Sequence, residues 1–207
     1  MKLLSLLAVT TAIGGVCAAP AMAQDTPAPA PAPAAEPEAP HKSGFYAGAG
    51  INLYFLDRDA AGSGMPVVFE DQPTPGAFMG RIGYAFNENI AIEAELGFGG
   101  AKQQFTTSGG GADGELGIEA PSGAHVVLSV PLNSTTYLMG KAGYVSAKVN
   151  REYLGVDYGD LDIGGAAFGV GGGWRGGPFD LRFEYSFISS DDAGDGGVLS
   201  MFFINHF

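Results

Sequence analysis

Cysteine is all but missing from this 207-residue chain. The single one, Cys17, sits in the apolar N-terminal run, so a chain freed of that run has no disulfide framework and must draw its stability from elsewhere. Charge is scarce too, at 15% of residues against about 25% in an ordinary soluble domain. Basic residues are the scarcest. With Lys2 set aside, nine Lys and Arg face 22 Asp and Glu, a balance of −13 that argues against nucleic acid as a partner. The histidines His41, His125 and His206 are scattered along the chain, so no metal constellation forms and no cofactor is implied.

Glycine, with 34 residues, and a two-residue alternation are what the chain has in abundance. Over residues 78–98, Phe78, Gly80, Ile82, Tyr84 and Phe86 alternate with Met79, Arg81, Gly83 and Ala85. After Asn87-Glu88-Asn89 the same period resumes, with Ile90, Ile92, Ala94, Leu96 and Phe98 against Ala91, Glu93, Glu95 and Gly97. This predicts a β-hairpin; a helix would return its apolar residues three and four apart. The polar face holds glycine, alanine and opposite charges rather than the Lys, Thr and Ser of a solvated sheet. That composition suits a cramped interior, and so an inside-out barrel with bulky apolar groups facing lipid. The competing reading is a soluble sandwich whose apolar face is the core.

Lys2, an apolar run over residues 3–16 and Ala21-Met22-Ala23 read as a secretory signal peptide over residues 1–23. Val16 is too bulky for the small-residue site that would make Cys17 an acylated residue, and Gly14, Gly15 and Pro20 weaken the run as a membrane helix. Residues 24–43, rich in Pro and Ala, predict a semi-rigid extended tether. Residues 44–207 then carry eight alternating segments. The first starts at Phe45, the fourth spans about 124–132, and the cleanest sets Phe179, Leu181, Phe183, Tyr185 and Phe187 against Asp180, Arg182, Glu184 and Ser186. Long loops fall at about 57–75, 102–123, 149–160 and 189–197, with strands expected to extend partly into the second, in alternation with three short turns. The expectation is an all-β, eight-stranded antiparallel up-and-down transmembrane barrel with short periplasmic turns and long extracellular loops.

With Gly83-Tyr84-Ala85-Phe86 before an Asn-rich turn, Gly140 and Gly143 within residues 137–144, Arg182-Phe183-Glu184-Tyr185 and the terminal Phe207, the chain resembles the small OmpA-type and opacity-like outer-membrane β-barrel family over residues 45–207. The resemblance implies recognition of the last strand by the outer-membrane assembly machinery, through Phe207 and the alternating Leu199, Met201 and Phe203. Asn205 departs from the pattern, which commonly has an aromatic there. The sequence stops with the barrel, so the peptidoglycan-binding domain of longer relatives is not expected.

The lumen is expected to hold Arg81, Lys141 and Arg182 against Glu93, Glu95 and Glu184, with Asp180 nearer the periplasmic rim. Charges buried in so narrow a bore must pair, which makes the interior an ionic plug, structural or able to gate an ion path. The aromatics Phe45, Phe55, Tyr84, Phe86, Trp174, Phe179 and Phe187 fall toward strand ends, as interfacial girdles do. Hydrolysis of lipid A by small barrels of this kind implies a His and a Ser two apart on one strand face. His125 has Val127 there and Ser129 about 13 Å away, while His206 is six residues from Ser200. No catalytic site is expected.

Fourteen acids lie toward the loops: Asp57, Asp59, Glu70, Asp71, Asp113, Glu115, Glu119, Glu152, Asp157, Asp160, Asp162, Asp191, Asp192 and Asp195. They either remain solvated at a charged surface or bind Ca²⁺ or Mg²⁺ bridging to lipopolysaccharide phosphate. The expected role is structural, at the surface of the cell envelope among outer-membrane lipids and lipopolysaccharide. A small-solute or ion channel and a host-surface adhesin acting through the loops are the alternatives.

Overall fold

The computed structural model describes residues 43–62, 64–65, 73–100, 102–105, 114–190 and 195–207. The expected signal peptide and, apart from Ser43, the expected tether lie outside these residues, as do Glu70, Asp71, Asp113, Asp191 and Asp192. Among the described residues ten strands follow one another: β1 (Gly44–Phe55), β2 (Gly76–Ala85), β3 (Ile90–Gly99), β4 (Gln103–Phe105), β5 (Gly114–Pro131), β6 (Thr136–Tyr153), β7 (Val156–Asp157), β8 (Leu161–Gly176), β9 (Phe179–Ser190) and β10 (Gly196–His206). A single helical turn, α1 (Arg58–Ala61), follows β1.

Eight of these strands close on themselves. Each pairs antiparallel with its neighbour in the order β1, β2, β3, β5, β6, β8, β9, β10, and β10 returns to β1 with Tyr46 opposite His206 and Phe55 opposite Gly197. Closure leaves no open edge in the wall, which is the only way a sheet satisfies its backbone in hydrocarbon. The short strands β4 and β7 add on to the ends of β5 and β6.

The turns at one end are short because side chains complete them. Asn87 Oδ1 accepts from the N–H groups of Asn89 and Ile90, both at 2.9 Å, and Asn133 Oδ1 does the same for Thr135 and Thr136 at 2.9 and 2.8 Å. Gly177, at φ +62°, makes the third turn. Asn89 Nδ2 also donates to the Ser129 carbonyl at 2.9 Å, tying the first turn to the next strand pair.

The alternation points as expected. Ile82, Leu96, Val126, Leu138, Val170 and Phe183 are exposed on the outside, while Arg81, Glu95, His125, Lys141 and Glu184 are buried within. The bulky apolar set therefore forms an outer belt, and the soluble-sandwich reading falls. Glycine faces the lumen where large groups cross it: a Cβ on Gly83 would come within 2.2 Å of the Tyr46 ring, and one on Gly173 within 2.4 Å of the Tyr137 ring.

Three expectations are corrected. The fourth spanning strand does not begin near 124 but at Gly114, so much of the expected 102–123 loop is strand. The expected 149–160 loop is mostly the hairpin of β6 with β7 and β8. Consequently Glu115, Glu119, Glu152, Asp157 and Asp162 stand on strands rather than in loops. At 18, 18 and 16 residues, β5, β6 and β8 exceed the 9–11 needed to cross, whereas the other spanning strands have 10 to 12. One side of the barrel thus projects beyond the belt.

The polarity of the wall inverts along that projection. A β-bulge between Glu119 and Ser122, with Ala120 at φ +44°, inserts one extra residue in β5. On the belt side of the bulge the inward residues are His125 and Val127; beyond it they are Leu116 and Ile118, and Glu115 and Glu119 face out. Leu116, Ile118, Val149, Ile163, Ile188, Val198, Tyr54 and Leu56 form a buried apolar layer at the loop end. The ion pairs of the plug lie toward the middle and turn end of the lumen, while Arg151, buried opposite Leu116 at the loop end, donates to the carbonyls of Tyr158 and Gly159.

Candidate functional site

The six charged residues expected in the lumen meet there. Register explains why: Arg81 on β2 lies directly opposite Glu95 on β3, while Lys141, opposite Gly169, and Glu184, opposite Gly171, reach inward over bare backbone. The Arg81 guanidinium donates to both oxygens of Glu184, at 2.5 and 2.8 Å, and to Glu95 Oε1 at 2.7 Å, with Glu93 Oε2 at 3.3 Å. Its Cζ lies over the Phe202 ring, 3.6 Å from the ring centre. Lys141 Nζ donates to Glu184 Oε2 at 2.7 Å. Arg182 donates to Glu93 Oε1 at 2.5 Å, and the same oxygen accepts from the Tyr46 hydroxyl at 2.7 Å.

Toward the turn end a second group continues the first. Arg182 Nε donates to the Tyr137 hydroxyl at 2.7 Å, and that hydroxyl donates to Asp180 Oδ2 at 3.0 Å. Asp180 is fully buried and also meets Arg175 Nε at 3.3 Å and His206 Nε2 at 3.1 Å. Four cations, Arg81, Lys141, Arg175 and Arg182, thus balance four carboxylates, Glu93, Glu95, Asp180 and Glu184. The balance is what allows such burial, because a lone charge there would cost several kcal/mol or more.

Tyr46, Tyr137, Arg175 and His206 belong to this network without having been expected in it. The two tyrosines carry a signal that could have found them, since each lies on the inward phase of its strand. Arg175 lies on the inward phase of β8 too, directly opposite Asp180, but the Gly-Gly that follows it reads as a turn and hides that the strand includes it. His206 lies against Asp180, and His125 Nδ1 stands 3.5 Å from Glu95 Oε1; the carboxylate, not a serine, is what each histidine faces. Among the described residues no group of three His, Cys, Asp or Glu is arranged to hold a metal ion.

The expected aromatics occupy two levels. Phe45, Tyr84, Phe86, Trp174 and Phe179 lie at the turn end, where Phe45 and Tyr84 meet edge to face at 4.9 Å and Tyr84 and Phe86 at 5.3 Å. Phe55 and Phe187 lie at the loop end, joined by Phe78, Phe98 and Tyr185, which were not among the expected girdle residues. Leu199, Met201 and Phe203 point outward on β10, and Phe207 beyond it is 81% exposed. At the projecting end, Lys102 donates to Glu115 at 3.1 Å, which raises the lysine's pKa, and Lys148 lies 3.9 Å from Asp160.

The sequence matches the family described as outer membrane protein beta-barrel domain over residues 9–200. No curated protein matches it. Among solved structures, Ail, the attachment invasion locus protein of Yersinia pestis, in complex with the heparin analogue sucrose octasulfate, is similar at a TM-score of 0.52 and 16% identity, over 80% of this chain and 99% of Ail. Neisserial surface protein A is similar at 0.50 and 16%, over 80% of this chain and 98% of its own. The outer membrane protein OprG from Pseudomonas aeruginosa is similar at 0.50 and 10%, over 80% and 95%. At these identities the likeness is one of fold.

Proposed function

The chain belongs to the family of outer-membrane β-barrel domains, and from that premise we propose a structural role at the surface of the bacterial cell envelope, with a plugged lumen that does not conduct. The observation that carries this reading is the bidentate Arg81–Glu184 pair, closed on one side by Glu95 and on another by Lys141, in a bore just wide enough for its own side chains. Residues 1–23 then serve export and residues 24–43 form a periplasmic tether. Phe45, Tyr84, Phe86, Trp174 and Phe179 hold the periplasmic interface and Phe55 and Phe187 the outer one, where lipopolysaccharide lies. Leu199, Met201, Phe203 and Phe207 serve recognition by the assembly machinery, which is checked by whether Phe207→Ser reduces the share of chain that inserts.

Planar-bilayer recording of the wild type and of Arg81→Ala tests the central part. The expected result is no discrete conductance in either, together with lower stability of the variant. Conductance steps in the wild type that enlarge in Arg81→Ala would make the protein a gated channel instead.

A second reading, surface binding, is favoured by the projecting wall of β5, β6 and β8. That wall bears Glu115, Glu119, Glu152 and Asp162 with Asp157 and Asp160 nearby, against Lys102 and Lys148. Such a surface repels polyanions, so its partner would be cationic, unlike the heparin analogue bound by Ail. Saturable binding of a heparin-like polyanion at physiological salt would overturn this reading.

A further inference from the structure

At the loop end of the outer wall three strands carry an aromatic, a glycine and an aromatic side by side. Phe55 on β1 is the register partner of Gly197 on β10, and Gly197 is in turn the partner of Phe187 on β9. With no side chain on Gly197, the space over its backbone between the two phenylalanines is left to Tyr185. Tyr185, two residues along β9, leans in from below: its hydroxyl lies 2.4 Å from where a Gly197 Cβ would be, and its ring centre is 6.5 Å from that of Phe55. Asp195, next to Gly196 on β10, is exposed. These residues and Gly196 line a concavity of about 300 Å³.

We propose that this slot binds an organic ammonium group. Aromatic faces carry negative quadrupole potential and attract a cation within about 6 Å of the ring centre, and sets of such rings are how quaternary ammonium ligands are held. Asp195, a lining residue that stays exposed, adds the complementary charge without the hydration penalty of burying it. An anion would meet Asp195, and a purely apolar ligand would leave that carboxylate without a role. The slot sits where the apolar belt ends, so the ammonium can belong either to a lipid headgroup lying in the interface or to a soluble molecule arriving from outside.

The test uses the barrel refolded in nanodiscs of phosphatidylglycerol, which offers no ammonium. Choline is titrated in while the ring resonances of Tyr185 and Phe187 are followed by NMR; in a second arm, phosphatidylethanolamine replaces part of the lipid. The expected result is saturable shifts of both rings in at least one arm. Response to choline identifies a soluble ligand as sufficient, and response to phosphatidylethanolamine alone identifies a headgroup. Phe55→Leu and Phe187→Leu keep apolar bulk but remove the π face, and should each weaken binding about 3- to 10-fold; Asp195→Asn should weaken it about 3-fold. Phe98→Leu, at the same end of the belt but outside the slot, should change nothing. Absence of saturable shifts in both arms at millimolar choline, or equal binding by the leucine variants, would overturn the proposal.

Discussion

Glu184→Ala is expected to destabilise the barrel by about 3–5 kcal/mol, the range for removing one partner of a buried ion pair. Glu184 accepts both guanidinium bonds from Arg81 and the ammonium bond from Lys141, so its loss leaves two cations facing each other with Glu95 as their nearest common carboxylate. Neither can escape to water, since the Arg81 and Lys141 side chains are at most 4% exposed. Urea unfolding in detergent or nanodiscs should register this as a midpoint lowered by about 2 M, for a denaturant slope of about 2 kcal/mol/M. Glu184→Gln keeps the shape and some hydrogen bonding and should fall between the two. A midpoint within about 0.3 M of the wild type for Glu184→Ala would mean that the network is not what fixes the strands.

Phe183→Arg should cost about 2–4 kcal/mol through the opposite face of the same strand. Phe183 is the central outward residue of β9, flanked by Phe179 and Leu181 toward the turn end and by Tyr185 and Phe187 toward the loop end. An arginine there cannot reach either interface without bending the bilayer around it, whereas its neighbour Arg182, one residue away, is buried with Glu93 and Tyr137 as partners. The readout is the urea midpoint together with gel migration without boiling, where a closed barrel runs as a distinct folded band. If Phe183→Arg is tolerated as well as Phe183→Leu, that position faces water.

The pairing of these two predictions shows what the alternation makes legible. From period two alone, Phe183 faces out and Arg182 and Glu184 face in, and the same rule places Arg81, Glu93, Glu95 and Lys141 inside. Which carboxylate each cation takes is not legible, because Arg81 and Glu184 are 103 residues apart and meet only when the wall closes. The length of β5 is hidden for a different reason. Its bulge at residues 119–122 shifts the inward set from odd to even positions, so a two-residue pattern followed from Ala124 backwards dissolves just where the strand continues. Beyond the belt, moreover, water lies outside the wall, and the favourable arrangement becomes apolar inward and acidic outward, as Ile118 and Glu119 show. A change of solvent, rather than weak strand propensity, therefore conceals how far the projecting strands run. Arg175 and His206 keep the inward phase of β8 and β10, beside outward Trp174 and Phe203; what the sequence conceals is that the strands run far enough to include them, since Gly176-Gly177 and the chain end read as the close of the pattern.

The measurement that bears most directly on the orientation of the wall is a single-cysteine scan, which Cys17 in the N-terminal run leaves uncomplicated for residues 44–207. Cysteines introduced at Leu96, Val126, Val170, Phe183 and Met201, and at Val127, Gly169, Ser186 and Ser200, would carry a fluorophore in bilayers doped with a quencher on the lipid acyl chain. Strong quenching is expected at the first five and little at the other four. Quenching without regard to that division, or the first five shielded from lipid and packed against one another, would contradict a wall whose bulky face meets the acyl chains.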